Sequence, residues 1–250
     1  MTDRERPGLS LQGIHVDYRL FHHRSRSLWS RLWHGSARSG PLFQDNGYVF
    51  EILRNVSLLL RAGERIAVVG TGGTGKTTLA LMAAGIMKPT RGAVESVGVV
   101  CSLIGGGAGP HPDATIADMG VYEALRRGRS PKVGMNWVKE ALSFSESAVS
   151  PDIPLIDLPH DEVRKVRMAL GLTAGAEIFI LDDVMSHFDA RFRNRISEFF
   201  SAPEGAARVV LAFERTPDSL EGLCREIVVL REGVLADRMP FDRWQRSQIP

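Results

Sequence analysis

Three observations predict an α/β fold built on a mostly parallel sheet for this 250-residue chain. Short apolar runs such as Ile66–Val69 and Ile178–Leu181 are continuous rather than alternating, the pattern of strands buried on both faces. These runs alternate with amphipathic stretches of helical spacing, which places helices on both faces of one sheet. Finally, a glycine-rich segment, Gly70 to Thr77, joins one such run directly to one such helical stretch.

Taken in chain order, 9–16 alternates as a strand, and 57–60 reads as another, ended by the turn signal Arg61-Ala62-Gly63. Buried strands are expected at 65–69, 97–100, 177–181, 208–213 and 226–230, and the turn at Arg231-Glu232-Gly233 leads into a closing hairpin strand, 234–236. Helices are expected at 77–87, 116–127, 137–144, 162–172 and 191–200. The region 115–159 contains no convincing strand and is expected to form a helical lobe.

Composition bounds the function. Lys+Arg 31 against Asp+Glu 29 and 44% hydrophobic residues describe an ordinary globular chain, with a balance too even to suggest nucleic acid as a partner. The longest apolar stretch, 79–87, is about half of the roughly 20 residues that a membrane span needs. No apolar region follows the charged start, so a secretory signal is not expected. Cys101 and Cys224 stand alone, without the spacing of a metal site or a disulfide framework.

One segment departs from this balance. Between Asp17 and Asp45 there is no acidic residue, whereas Arg19, Arg24, Arg26, Arg31 and Arg38 occur there. Leu28, Trp29, Leu32 and Trp33 would share one face of a short helix. This basic insertion, 19–45, reads either as a solvated excursion packed through its aromatics or as an amphipathic element lying on a membrane or a membrane partner.

The segment Gly70-Thr71-Gly72-Gly73-Thr74-Gly75-Lys76-Thr77 matches the phosphate-loop pattern G-x-x-x-x-G-K-[ST] in its required strand–loop–helix context. Glycines let the backbone wrap phosphate oxygens with successive N–H groups turned inward, and the helix N-terminus adds partial positive charge. Lys76 is expected on the β- and γ-phosphates and Thr77 on Mg2+, with Thr78 completing the nucleotide-binding stretch. The run Ile178-Phe179-Ile180-Leu181 ends in Asp182 and Asp183. A carboxylate at that end of a parallel strand lies beside the phosphate loop, so Asp182 is the expected Mg2+ partner and Asp183 the expected water-polarising group.

With these parts placed, the chain resembles the ATP-binding subunits of ABC transporters over nearly its whole length. The resemblance implies a P-loop NTPase of ABC type: a mostly parallel sheet, an antiparallel β subdomain and an inserted helical lobe, together one nucleotide-binding domain. It makes Tyr18 the residue stacked on adenine and Asp189, in Ser186-His187-Phe188-Asp189, the D-loop aspartate. A narrower likeness is to subunits that export capsular polysaccharide, O-antigen or teichoic acid. It rests on Val16-Asp17-Tyr18-Arg19-Leu20, on Gly107-Ala108-Gly109-Pro110-His111-Pro112-Asp113 with Thr115, and on Asp189-Ala190-Arg191-Phe192.

Against that pattern the departures are concentrated. The signature segment, whose serine hydroxyl and glycine amides hold the γ-phosphate bound by the opposite subunit in the family, is here Leu158-Pro159-His160-Asp161-Glu162. Proline offers neither a hydroxyl nor an N–H. Asp161 and Glu162 would repel a phosphate by about 1–4 kcal/mol per pair at a few ångströms. Glu214 occupies the place of the switch histidine, no glutamine occurs near Gly105 where the Q-loop is expected, and Asp183 replaces the family's longer catalytic glutamate.

The resemblance therefore implies an ATP- and Mg2+-binding subunit with weak or absent hydrolysis. It would sit peripherally on the cytoplasmic face of the inner (plasma) membrane beside a separate integral membrane permease. In a homodimer both sites would be impaired; in a heterodimer with an intact ATP-binding subunit, each site would still lack part of its machinery. A non-transporting pseudo-ATPase that regulates or assembles an export complex is the alternative. A small-molecule kinase would need a second arginine-rich pocket, of which the sequence gives no sign.

Overall fold

The computed structural model describes residues 6–20, 42–44, 47–104, 111 and 113–247. Two sheets organise it. The first is antiparallel and four-stranded, in the order β2 (Leu42–Gln44), β3 (Gly47–Leu60), β1 (Gly8–Leu20), β5 (Arg91–Val97). The second is six-stranded, in the order β10 (Val234–Pro240), β9 (Glu226–Arg231), β4 (Arg65–Val69), β8 (Val209–Glu214), β7 (Ile178–Asp182), β6 (Val100–Ile104). All of its pairings are parallel except the β9–β10 hairpin.

The continuous apolar runs are explained by burial on both faces of this second sheet. Alternate residues of the central strands enter different cores: Ile66, Val68, Ile178, Ile180, Val209, Leu211 and Phe213 pack toward α1 (Lys76–Ala83) and the antiparallel sheet. Ala67, Val69, Phe179, Leu181, Val210 and Ala212 pack toward α4 (His160–Thr173), α5 (Ala190–Ser201) and the last helix, α6 (Phe241–Ser247). Residues from 115 to 159 hold α2 (Ile116–Arg126), α3 (Pro131–Ser145) and a 3-10 turn at Leu155–Asp157. Their apolar faces meet Val166, Ala169 and Leu170 of α4 in a separate cluster. Among the described residues, no helix is long and apolar enough to cross a membrane.

Several expected boundaries move, each for a local reason. The strand expected at 97–100 is the junction of two strands in different sheets, β5 and β6, turned by Gly98 at φ 117. β3 is far longer than 57–60, because it stays paired with β1 as far as Tyr48, with left-handed Asn55 at an irregularity of that ladder. α1 stops at Ala83 rather than Met87, with left-handed Gly85 just beyond its C-cap. α3 starts early, at Ser130-Pro131, where proline at the first helical position needs no N–H partner. Most of the basic insertion, including Trp29 and Trp33, and the Q-loop position at Gly105 lie outside the described residues.

Candidate functional site

At the carboxyl ends of β4, β7 and β8 opens a cleft of about 340 Å3, a volume suited to a small-molecule ligand. Tyr18, Gly72, Gly73, Gly75, Lys76, Thr77, Thr78, Asp182, Asp183 and Glu214 line it, joined by Ile52 and Arg215. Strand register brings these groups together. Val69, the last residue before the glycine loop, lies beside Glu214, and Asp182 lies beside Phe213.

Gly75 shows why the loop has this composition: its φ is 98, and a Cβ there would lie 2.9 Å from Leu53 Cδ2 and 3.3 Å from the Ile52 carbonyl. Gly72 and Gly73 border open space, with nothing within 4 Å of where a Cβ would stand. Beyond them α1 begins at Lys76, with no acidic residue in its first turn to cancel the dipole. The Lys76 ammonium donates to the carbonyls of Gly70 (2.6 Å) and Thr71 (2.9 Å), and the Thr74 hydroxyl donates to the Thr71 carbonyl (3.0 Å).

Burial holds the Lys76 ammonium below its ordinary pKa, against the pull of Asp182 and with a further push from Arg215. The Asp182 carboxyl is raised by burial and by Asp183, opposed by a hydrogen bond with Thr77 and by Lys76. Thr77 and Asp182 thus present a hydroxyl and a carboxylate to one point, a hard oxygen pair that fits Mg2+. Open glycine backbone, a helix N-terminus and an ammonium fit the phosphates of a nucleotide. Tyr18 stands half exposed in the same cleft, its hydroxyl 3.8 Å from Met87 Sδ, with an aromatic face available for a base.

Glu214 is buried (3% exposed). Its Oε1 accepts the backbone N–H groups of Met185 (3.0 Å) and Ser186 (3.3 Å). Burial pushes its carboxyl up to about 7; those N–H bonds oppose the rise, and the charge of Asp183, to which it is hydrogen-bonded, adds to it. Glu214 therefore ties the turn after β7 to the end of β8. Asp183 itself is exposed, with left-handed φ 53 and its N–H donated to the Phe213 carbonyl (2.9 Å).

Pro159, His160 and Asp161 do not line this cleft. Pro159 caps α4 without a side-chain hydrogen bond, and His160 and Asp161 are exposed in its first turn. Asp161 pairs with Arg164 (2.7 Å) and approaches His187 Nδ1 (3.9 Å). Asp189 caps α5 by accepting the Phe192 N–H (2.8 Å), and pairs with Lys165 of α4, which holds its carboxyl below the usual range. The signature position and the D-loop thus meet each other within one chain, away from the cleft. Ile52 and Arg215 went unread in the sequence. Arg215 carried a usable signal, since it directly follows the strand that neighbours the phosphate-loop strand.

This fold and this cleft define a P-loop NTPase of the ABC cassette class. Residues 53–186 match the family described as ABC transporter, about half of the chain, and the protein belongs to that family. It is similar to the ABC transporter protein AbcA of Aeromonas salmonicida, 23% identical over 91% of this chain and 71% of that protein. It is equally similar to the O-antigen export system ATP-binding protein RfbB of Klebsiella pneumoniae, 23% identical over 89% of each. The teichoic acids export ATP-binding protein TagH of Enterococcus faecalis is 26% identical over 78% of this chain and 43% of its own length. In fold, the chain is similar to the dimeric bacterial ABC transporter cassette MJ0796, with a TM-score of 0.73 and 15% identity over 93% of this chain and 98% of that one.

Proposed function

We propose that this protein is the ATP-binding subunit of a polysaccharide-type ABC exporter. It binds Mg-ATP, works with a separate integral membrane permease at the cytoplasmic membrane face, and hydrolyses ATP weakly or not at all by itself. The observation that carries the reading is the convergence of Tyr18, Lys76, Thr77 and Asp182 on one cleft. When bound, Mg2+ would be held by Thr77 and Asp182 and would neutralise phosphate charge. Tyr18 would carry the base, Lys76 would bind phosphate, and Asp183 would orient water from a side chain one methylene shorter than glutamate. The export reading is supported by the O-antigen and teichoic acid relatives.

A second reading, a pseudo-ATPase that regulates or assembles an export complex, is favoured by one feature. The first turn of α4 offers a partner's nucleotide Pro159, His160 and Asp161, with no hydroxyl and added negative charge. Turnover separates the two. Hydrolysis that rises when the permease or an intact ATP-binding subunit is added supports the exporter; tight ATP binding with turnover near zero in both settings supports the second reading. Binding itself is tested by Lys76→Ala, which is expected to abolish ATP binding by equilibrium titration, and undiminished affinity would refute the site.

A further inference from the structure

The cleft is assembled from two sheets. Tyr18 and Ile52 come from β1 and β3 of the antiparallel sheet, where Tyr18 pairs with Phe50, two residues before Ile52. The glycine loop, Thr77, Asp182 and Asp183 follow the carboxyl ends of parallel strands. A nucleotide with its base on the first wall and its phosphates on the loop spans the junction of the two sheets. Its affinity then depends on how firmly that junction holds wall and loop in register.

The junction has an identifiable fastening. Glu232 and Gly233 form the two-residue turn between β9 and β10, both left-handed, at φ 47 and φ 76. This turn packs on β3: a Cβ on Gly233 would run into the Ile52 carbonyl and lie 3.3 Å from Leu53 Cα. The same carbonyl stands 3.3 Å from the Cβ position of Gly75, so the Ile52 peptide touches both the hairpin tip and the phosphate loop. Arg54 closes the contact. Its backbone N–H donates to the Gly233 carbonyl (2.8 Å), and its guanidinium donates to the Glu232 carbonyl through Nε (3.2 Å) and Nη2 (2.6 Å). A planar fork on one carbonyl fixes the turn more tightly than a single donor does. The loop keeps hydrogen bonds of its own, from Lys76 and Thr74, that do not involve Arg54. At the other end of β3, Arg238 of β10 reaches the Leu59 carbonyl (3.5 Å), a second fastening that does not depend on Arg54.

We propose that Arg54 is a positioning residue for nucleotide binding: by fastening the β9–β10 turn to β3, it sets the wall of Ile52 and Tyr18 against the phosphate loop. Arg54 does not itself line the cleft. ATP and ADP, which bridge wall and loop, both depend on the fastening, whereas tripolyphosphate, which engages only the loop, does not. The coupling is reciprocal, so a bound nucleotide also tightens the turn. This inference rests on the nucleotide reading of the cleft, and the test separates the two.

Binding of Mg-ATP, Mg-ADP and Mg-tripolyphosphate is measured by calorimetry on the full chain and on Arg54→Ala, Arg54→Lys, Arg243→Ala and Lys76→Ala. Arg243, exposed on α6, controls for loss of a positive charge. Thermal melts without ligand check that each variant is folded. In Arg54→Ala, ATP and ADP are expected to bind about fivefold more weakly and tripolyphosphate less than about twofold more weakly, with Arg54→Lys between the two. Hydrogen exchange gives the reciprocal readout: Mg-ATP is expected to slow the amide of residue 54 by about fivefold in the native chain and to lose that effect in Arg54→Ala. Unchanged ATP and ADP affinity, an equal loss for tripolyphosphate, the same loss in Arg243→Ala, or no slowing at residue 54 in the native chain overturns the role of Arg54 and leaves the nucleotide site intact. A native chain that binds none of the three ligands, or a Lys76→Ala variant that binds like it, overturns the underlying reading and this inference with it.

Discussion

At the scale of single residues, Glu214 carries an unusual physical load. A carboxyl with an ordinary pKa near 4.5 is raised to about 7 by burial and by its contact with Asp183. Between these two values the folded protein binds a proton that the unfolded chain does not, so stability falls as pH rises through that window. Below it both states are protonated and the burden vanishes; above it both are ionised and the burden is complete. Glu214→Gln keeps an oxygen for the Met185 and Ser186 N–H groups and offers its amide to Asp183. It is expected to melt higher than the native protein above about pH 7, with the gap closing toward pH 4.5, when thermal midpoints are compared across pH. A gap independent of pH would show that Glu214 is not titrating in this window. The phosphate loop and Asp182 are legible in the sequence because their pattern is local, a strand that ends in a fixed set of residues. The surroundings of Glu214 are not, because they arise from Met185 and Ser186, which are brought in by the parallel pairing of β7 with β8.

At the scale of elements, the helical region is held by a contact that periodicity does not reveal. α2 and α3 meet glycine against glycine: a Cβ on Gly120 would lie 2.2 Å from Val138 Cγ2 and 2.7 Å from the Gly134 carbonyl, and one on Gly134 would lie 2.3 Å from the Gly120 carbonyl. Two effects compete in Gly120→Ala. Higher helix propensity favours alanine by about 1 kcal/mol, whereas forcing apart packed backbones costs about 1–3 kcal/mol. The neighbours here include a fixed carbonyl as well as a side chain, so the clash wins. Gly120→Ala should lower the thermal midpoint and speed amide exchange in α2 and α3 before the β-sheets; a more stable variant would mean that the helices part freely. The same physics explains which elements are readable. The two-faced strands and α2, expected at 116–127, announce themselves by short-range pattern, and the structure starts α2 with a Thr115–Asp118 capping box. α6 and the extension of β3 through Asn55 depend on distant partners, and 97–100, though apolar, divides between two sheets at Gly98.

At the scale of the molecule, if this chain pairs as the proposed function requires, the charge on one exposed helix terminus would weigh on how it associates. An N-terminus that receives a partner's phosphate works through free N–H groups and an uncancelled dipole. α4 offers Pro159 as its cap, without an N–H, and places Asp161 and Glu162 in the first turn. Asp161 is partly neutralised by Arg164, but its side chain remains 61% exposed, so solvent screening reduces the repulsion without reversing its sign. Asp189 is engaged within its own chain by Lys165 and by the α5 cap, which leaves it less free to reach across to a second copy. Two identical chains would face each other with this defect at both sites, whereas an intact second subunit would present one sound signature to the Lys76 cleft. Mg-ATP is therefore expected to leave the purified chain monomeric in sedimentation velocity at saturating nucleotide, and to promote a complex when an intact ATP-binding subunit is added. Replacing Pro159 and Asp161 together by serine and glycine should shift the chain alone toward a dimer that requires Mg-ATP. A tight nucleotide-dependent dimer of the native chain would show that the first turn of α4 accepts a partner's phosphate despite its charge.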